Sequence, residues 1–348
     1  MKPLRFLVVG LGSMGKRRVR NLQELGYQEI IGYDIREDRR KQTSELYSIQ
    51  VVNDLEAAIQ KKPDIMIIST PPHKHLEYAT IATKNNIHFF TEVNTMTQDD
   101  MQSLIDLMKE NKVVGLPSTN LMFHPSVTRM KQLLEKGEIG KPLTFSFHSG
   151  SYLPDWHPWE KLEDYYVYKK ETGGGRDQIA WELSWIMWLM GKPKNVSAIT
   201  KKVGSFNADI YDVYDLIIEF ENKVIGHVTV DVIQRPPRRI CEIIGEEGTI
   251  IWDYDRKHVR TYAIKKNNWI EYPEEDDYKG YKIEKPKLGL AIKDVGLTES
   301  YVDEIKNFID AINGNKTPQF TFEDEKILLK TMYAAEKSSE KGMKITIN

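Results

Sequence analysis

Short apolar runs alternate with helix-period stretches through the first third of the chain. Phe6-Leu7-Val8-Val9 is continuously apolar, the pattern of a parallel strand covered by helices on both faces. Val19, Leu22 and Leu25 then fall on one side of a helix over 13–25, which stops at Gly26. A strand over 29–33 ends at Asp34. Asn53-Asp54 caps a helix over 55–60, and Pro63-Asp64 turns the chain into a buried-type strand over 65–70, closed by Pro71-Pro72. A helix over 75–85, a strand over 88–91, a helix over 99–109 and a strand over 113–116 follow. This alternation predicts an α/β domain over 1–120 built on a doubly wound parallel sheet.

The period then changes. A helix over 126–136 stops at Gly137, after which Leu143, Phe145 and Phe147 alternate with polar neighbours, as in a half-buried strand. Further strands are expected over 196–200, 211–220, 224–232, 239–244 and 249–253, with turns at Glu221-Asn222-Lys223 and Glu246-Glu247-Gly248. Helices over 299–313 and 322–341 close the chain, the second opened by Thr321-x-x-Asp324. The prediction for 121–348 is an α+β domain. Its open, mostly antiparallel sheet carries helices on one face, and its last helix is free to pack back on the first domain. The charged stretch 273–287 is expected to be a mobile arm.

Composition narrows the function classes. The 348 residues carry a formal net charge of −2, which gives no electrostatic case for nucleic acid or an anionic membrane as a global partner. The single cysteine, Cys241, excludes an internal disulfide and suits the cytoplasm; its strand-like surroundings make it a core residue rather than a nucleophile. No run approaches the ~20 apolar residues of a membrane span. The eight histidines and one cysteine show no zinc spacing, so no metal is expected.

The chemistry begins where the first strand ends, at Gly10-Leu11-Gly12-Ser13-Met14-Gly15. Gly-x-Gly-x-x-Gly between a strand and a helix is the dinucleotide-binding (Rossmann) fingerprint. Gly10 makes the tight turn, Gly12 admits a pyrophosphate to the backbone at Ser13 and Met14, and Gly15 lets the helix pack on the strand. Asp34 lies nineteen residues beyond Gly15, where a carboxylate accepts the ribose hydroxyls of NAD and repels a 2′-phosphate. Arg36, Arg39 and Arg40 are near enough to leave NADP open, or they form a solvated helix face.

The order GLGSMG, Asp34, STPPHKHLEYATIA and FFTEVN resembles the Gfo/Idh/MocA superfamily, the glucose–fructose oxidoreductase and inositol dehydrogenase group. The resemblance spans essentially the whole chain. It implies that Thr70, Pro71, His75 and Glu92 line the cofactor path, with His75 also explicable as a helix-starting structural residue. It further implies that Asn120 begins the crossover into the second domain. It implies an oxidoreductase acting on a CH–OH or keto carbon of a sugar, cyclitol or nucleotide-sugar. It also implies a homodimer or homotetramer joined through the uncovered face of the second sheet. Two positions depart from the family pattern: its lysine is replaced by Val93 and its following proline by Asn94.

In the second domain, 152–177 interleaves rings with polar groups: Tyr152, Trp156, His157, Trp159 and Tyr165, then Lys170, Arg176 and Asp177. Sugar C–H faces stack on rings while hydroxyls take polar side chains, so Tyr152, Trp156, Lys170 and Arg176 are candidate substrate contacts; a packed aromatic loop is the structural alternative. Many family members carry Asp and His four residues apart on the next helix. Here Asp177 is followed at that spacing by Trp181. Glu182 beside it is costly to bury unpaired, so it is either an acid/base or the partner of a group such as Arg176. Glu182, Asp177 and His157 are the candidates for proton transfer. With the family lysine and histidine both missing, a redox-neutral NAD-using enzyme or a dinucleotide-binding protein without catalysis stays open. Arg235-Pro236-Pro237-Arg238-Arg239 is a stiff basic turn, either solvated or facing an anion or a subunit partner.

Overall fold

A computed structural model of the chain describes residues 3–93, 98–158, 161–164, 166–281 and 295–347. The chain forms two compact units, one of residues 1–120 and 279–326, the other of 121–278 and 327–348.

In the first unit the strands are β1 (Phe6–Val9), β2 (Ile30–Tyr33), β3 (Gln50–Val52), β4 (Ile65–Ile68), β5 (His88–Thr91) and β6 (Gly115–Pro117). The helices between them are α1 (Ser13–Glu24), α2 (Glu37–Tyr47), α3 (Leu55–Gln60), α4 (His75–Lys84) and α5 (Gln98–Asn111). All six strands are parallel, in the order β3-β2-β1-β4-β5-β6. This doubly wound order reverses between β1 and β4, the place where open α/β sheets bind ligands beyond their carboxyl ends. The apolar runs are buried as their composition requires: β1 and β4 have every residue buried. β3, an edge strand of three residues with exposed Gln50, has no such run to announce it.

The second unit opens with α6 (Pro125–Glu135) and β7 (Pro142–Gly150), then α7 (Gly175–Met190), β8 (Pro193–Lys201), β9 (Val213–Phe220) and β10 (Ile225–Asp231). It continues with β11 (Arg238–Gly245), β12 (Gly248–Asp253), β13 (His258–Ala263) and β14 (Asn268–Pro273). Chain order then gives α8 (Val295–Ile312) in the first unit, α9 (Phe322–Lys341), which crosses from the first unit into the second, and β15 (Ile345–Thr346). The nine-stranded sheet runs β14-β13-β12-β11-β7-β10-β9-β8-β15 and is antiparallel except for the β7–β10 pair. Strict alternation in β9 and β10 buries Tyr214, Leu216, Ile218, Val228 and Val230 on one face. Trp185 of α7 meets Phe147 and Trp252 on that face edge-on, with ring centres 5.0 and 5.6 Å away. β13 and β14 alternate too, but with polar and aromatic residues that the apolar pattern misses.

The expectation that 121–348 forms one domain is corrected by α8. Its Ile305, Phe308 and Ile309 complete the core of Phe6, Val8, Leu22 and Phe90, so residues 279–326 belong with the first unit. The expected arm over 273–287 is corrected in its first part. Glu274 is buried and accepts from Ser126 Oγ at 3.0 Å, and Arg129 grips Asp277 at 2.5 Å; residues 282–287 lie outside the described residues.

Candidate functional site

The two units carry their candidate chemistry separately. In the first, β1 ends at Gly10, whose φ is +88°; a Cβ there would stand 2.5 Å from the Ser69 carbonyl oxygen. A Cβ on Gly15 would stand 1.8 Å from the Gly10 carbonyl oxygen, so only glycine lets α1 start this close to the strand. Gly12 is the N-cap of α1 and lends it no side-chain hydrogen bond. The first N–H groups of any helix lack intrahelical partners and carry its positive end, so Gly12, Ser13 and Met14, partly exposed, present an anion cradle. Asp34 is buried at the end of β2. Its Oδ2 accepts the Leu11 N–H at 2.7 Å and its Oδ1 the Arg36 N–H at 2.8 Å, which ties the carboxylate to the glycine turn.

The loop after β4 faces the same sheet end. Thr70 buries a hydroxyl that has no hydrogen-bond partner among the described residues. Pro71 is exposed, and His75 is fully buried with Nε2 2.8 Å from the Thr70 carbonyl oxygen. Burial pushes the His75 imidazole down to about 4, so it is neutral and donates to that carbonyl. His75 therefore staples the loop. A glycine turn with an open helix terminus, a ribose-spaced carboxylate and an unsatisfied threonine hydroxyl fit a dinucleotide.

Glu92 ends β5 in a network that the sequence reading did not find. Arg18 forks it, Nε to Oε1 at 2.7 Å and Nη2 to Oε2 at 2.6 Å, and Ser69 Oγ donates to Oε1 at 2.9 Å. Arg18 is fully buried, reaches Glu304 Oε1 with Nη1 at 2.6 Å, and lies over the Phe90 and Tyr301 rings. Glu304 accepts in turn from Ser118 Oγ and the Thr119 N–H, both at 3.0 Å. Burial pushes Glu92 up, but Arg18 outweighs it and holds the carboxyl below its usual range; for Glu304 burial wins and the value is raised. Asn120 donates to Ser300 Oγ at 3.2 Å and joins the end of β6 to α8. A signal for Arg18 existed. It shares a face with Gly15, Val19 and Leu22 at helical spacing, but within Lys16-Arg17-Arg18 it reads as solvated charge.

In the second unit, Asp177 lies in the first turn of α7, partly exposed, and accepts from Tyr166 Oη at 3.2 Å. Burial of its carboxyl raises the pKa to about 7, against the downward pull of the tyrosine hydrogen bond. Trp181, one turn on, is partly exposed with the Arg239 guanidinium 5.1 Å from its ring centre. Glu182 is fully buried. Its Oε1 accepts from Gln178 Nε2 at 2.9 Å and Arg239 Nη2 at 2.8 Å, and its Oε2 from Trp185 Nε1 at 2.7 Å. The expected pairing of Glu182 with Arg176 is thus corrected: the partner is Arg239. Arg176 instead forks Glu336 at 3.0 and 2.9 Å and stacks over Tyr333.

The aromatic loop is packed as well as polar. Leu153, Val167, Ala208, Ile210 and Val232 form a small core with Trp156 and Tyr166 against it, and Trp156 Nε1 donates to Ser151 Oγ at 2.9 Å. Tyr152 takes the Arg235 guanidinium at 3.6 Å, and Lys170 lies 4.2 Å over Tyr211. His157 is partly exposed just after the turn of Leu153–Asp155. Trp159, Tyr165 and Asn94 lie outside the described residues. Cys241 is buried in β11, and burial pushes its thiol well up. Among the described residues no cluster of His, Cys, Asp and Glu is arranged to hold a metal, and no helix is long and apolar enough to cross a membrane.

Fold and glycine turn define a Rossmann-type oxidoreductase architecture with an appended α+β unit. The family assignment follows from two matches: "Oxidoreductase family, NAD-binding Rossmann fold" over residues 4–117 and "GFO/IDH/MocA C-terminal domain" over 127–251. Together they span well over half of the chain, which belongs to the Gfo/Idh/MocA family. Over 99% of its length it is 23% identical to the myo-inositol 2-dehydrogenase of Thermotoga maritima, covering 98% of that protein. It is likewise 23% identical to the scyllo-inositol 2-dehydrogenase (NAD(+)) of Bacillus subtilis, covering 99% of this chain and 96% of that one. The solved structure of a levoglucosan dehydrogenase in complex with NADH has the same fold, with a TM-score of 0.84, 18% identity and 99% of each chain covered.

Proposed function

We propose that this chain is an NAD-dependent dehydrogenase that oxidises a CH–OH carbon of a sugar or cyclitol, or reduces the matching ketone. The relatives act on inositols and levoglucosan by their names, and the glycine turn with Asp34 suits NAD. The observation that carries the reading is Asp177. It sits where the family pattern has its helix aspartate, with a pKa raised to about 7, in the range where a carboxyl both accepts and returns a proton at working pH. Bound NAD supplies the hydride acceptor at the substrate carbon. Asp177 takes the proton from the substrate hydroxyl, and Tyr166 orients its carboxylate. Glu182, with four N–H groups converging on it, we assign to holding α7 on β11 rather than to proton transfer. The partly exposed rings of Tyr152, Trp156 and Trp181 supply stacking faces for the substrate.

The exposed face of the second sheet supports a homodimer. Ile244, Thr144 and Ile225 lie side by side across β11, β7 and β10, and Ile199 and Ile217 stand on the same face; Ile217 and Ile225 are 53% and 51% exposed. One buried cysteine and an unremarkable charge keep the cytoplasm as the compartment we favour.

The test is turnover of Asp177→Asn with an active polyol. Oxidation should fall by at least about 100-fold, and in the parent enzyme kcat/KM for oxidation should fall below pH ~7 with one proton. Unchanged turnover in the variant rejects Asp177 as the base.

A further inference from the structure

The open face of the second sheet carries histidines that a contact between isoleucines does not require. Three of the eight histidines stand on it, each against a carboxylate. His148 of β7 has Nε2 2.9 Å from Asp231 Oδ2, and His227 of β10 has Nε2 2.8 Å from Asp215 Oδ1. His258 of β13 faces Glu271 at 3.5 Å, out at the β14 edge. The first two pairs are central. His148 is flanked across the strands by Ile240 of β11 and Thr229 of β10, and His227 by Ser146 of β7 and Ile217 of β9. Asp215 also accepts from the Thr229 hydroxyl at 2.9 Å and lies beside Ile199. The two pairs and the exposed isoleucines therefore form one patch. In the single chain both rings reach solvent, His148 at 38% and His227 at 56% exposure.

Charge decides what this patch can meet. Around the two rings stand Asp215, Asp231 and, next to Ser146, Glu242 of β11. The cations stand further out. Arg238 is beside Gly150 and Lys201 beside Val213; Arg260 is two strands from Glu242 and over the Trp269 ring, and Lys344 is on Glu219. With neutral imidazoles the patch is negative; with both rings protonated, two of its carboxylates are matched. A two-fold contact lays a patch against its own copy, so any net charge meets like charge. Histidine is the side chain whose charge changes between about pH 5 and 8.

We propose that the His148–Asp231 and His227–Asp215 pairs make the sheet-face dimer proton-linked: protonation of both rings neutralises the patch and lets two copies close, and loss of those protons loosens them. This rests on the homodimer reading given above. A neutral imidazole leaves its carboxylate to be buried without a counter-charge, which costs more than burying the matched pair. The dimer therefore holds more protons than two separate chains, and association strengthens as pH falls from about 8 to 6.

Sedimentation equilibrium over a dilution series at pH 6, 7 and 8 and constant ionic strength tests it. The samples are the parent, His148→Gln with His227→Gln, and Asp215→Asn with Asp231→Asn, both variants first checked for native circular dichroism. The parent Kd should be at least about tenfold lower at pH 6 than at pH 8, and added salt should tighten the dimer at pH 8 by screening the repulsion. The histidine variant should stay at the weak end, changing by less than about threefold across the range. The aspartate variant should associate at pH 8 within about tenfold of the parent at pH 6. A parent dimer that does not loosen at pH 8 overturns the proposal, as does a pH dependence that survives in the histidine variant. A dimer equally tight at both pH values refutes only the proton linkage and leaves the homodimer reading standing. A parent that is monomeric at both rejects the two together.

Discussion

Replacing Arg18 by Met removes the guanidinium that bridges the half-buried Glu92 and the buried Glu304. Arg18 is fully buried and makes contacts of 2.6 Å to Glu92 and 2.6 Å to Glu304. Breaking a buried pair by deleting one partner costs about 3–5 kcal/mol, because the remaining charge is left uncompensated. Here two acids lose the counter-charge they share and keep only neutral hydrogen-bond donors among the described residues, and the ends of β5 and β6 and helices α1 and α8 lose their common tie. The pH dependence has a definite sign. Without the guanidinium, burial raises both carboxyls above their unfolded values, so the folded variant holds more protons than the unfolded chain. The added cost is then smallest in acid and grows as pH rises from about 4 toward 8. Urea unfolding of parent and variant at pH 5.5 and 8 measures it. Far-ultraviolet circular dichroism is the probe, since all seven tryptophans lie in the second unit while Arg18 is in the first. Adding Glu304→Gln to Arg18→Met should recover part of the loss at pH 8. A loss below about 1 kcal/mol, or one equal at both pH values, refutes the assignment of this triad as the anchor of the first unit.

Other consequences are as direct. Asp177→Asn should stabilise the protein above neutral pH while removing turnover. A carboxyl lifted to about 7 favours the unfolded chain increasingly as pH rises from ~4 to 7, with an upper bound of about 4 kcal/mol that solvent access reduces toward 1–2, so thermal melts of parent and variant should differ more at pH 8 than at pH 5. Glu182→Gln should keep the pH profile of turnover and lose about 2–4 kcal/mol of stability, since Arg239 is left without its counter-charge; a selective loss of kcat with unchanged melting would return Glu182 to catalysis. Ile217→Glu with Ile225→Glu should convert a dimer to monomers in analytical ultracentrifugation at micromolar protein, and a parent that sediments as a monomer excludes the sheet-face dimer.

The alternation of apolar runs and helical periods was enough to read the first sheet, because buried parallel strands carry no polar interruptions and each ends at a chemically marked residue: Gly10, Asp34, Thr70, Glu92. The short edge strand β3 and the polar strands β13 and β14 escaped for the opposite reason. An edge or solvent-facing strand needs little apolar content, so its pattern resembles a loop. The return of α8 to the first unit was invisible in local pattern, since its apolar stripe of Ile305, Phe308 and Ile309 fits either core. Asp177 is singled out in the sequence by a family position and Glu182 by the cost of burying charge. What burial cost could not name was the partner: Arg239 is 57 residues from Glu182, and Glu304 is 286 from Arg18. Pairings at such range follow from sheet order and helix docking, which single-residue chemistry does not encode.

The most direct test of the account is addition of NAD to the purified enzyme with a panel of inositols and anhydro- and free sugars, followed at the nicotinamide absorbance after NADH binding has been measured by fluorescence. The account predicts that NADH binds and that at least one polyol drives NAD reduction, with the activity lost in Asp177→Asn. Bound NADH with no absorbance change for any polyol or ketone would contradict it.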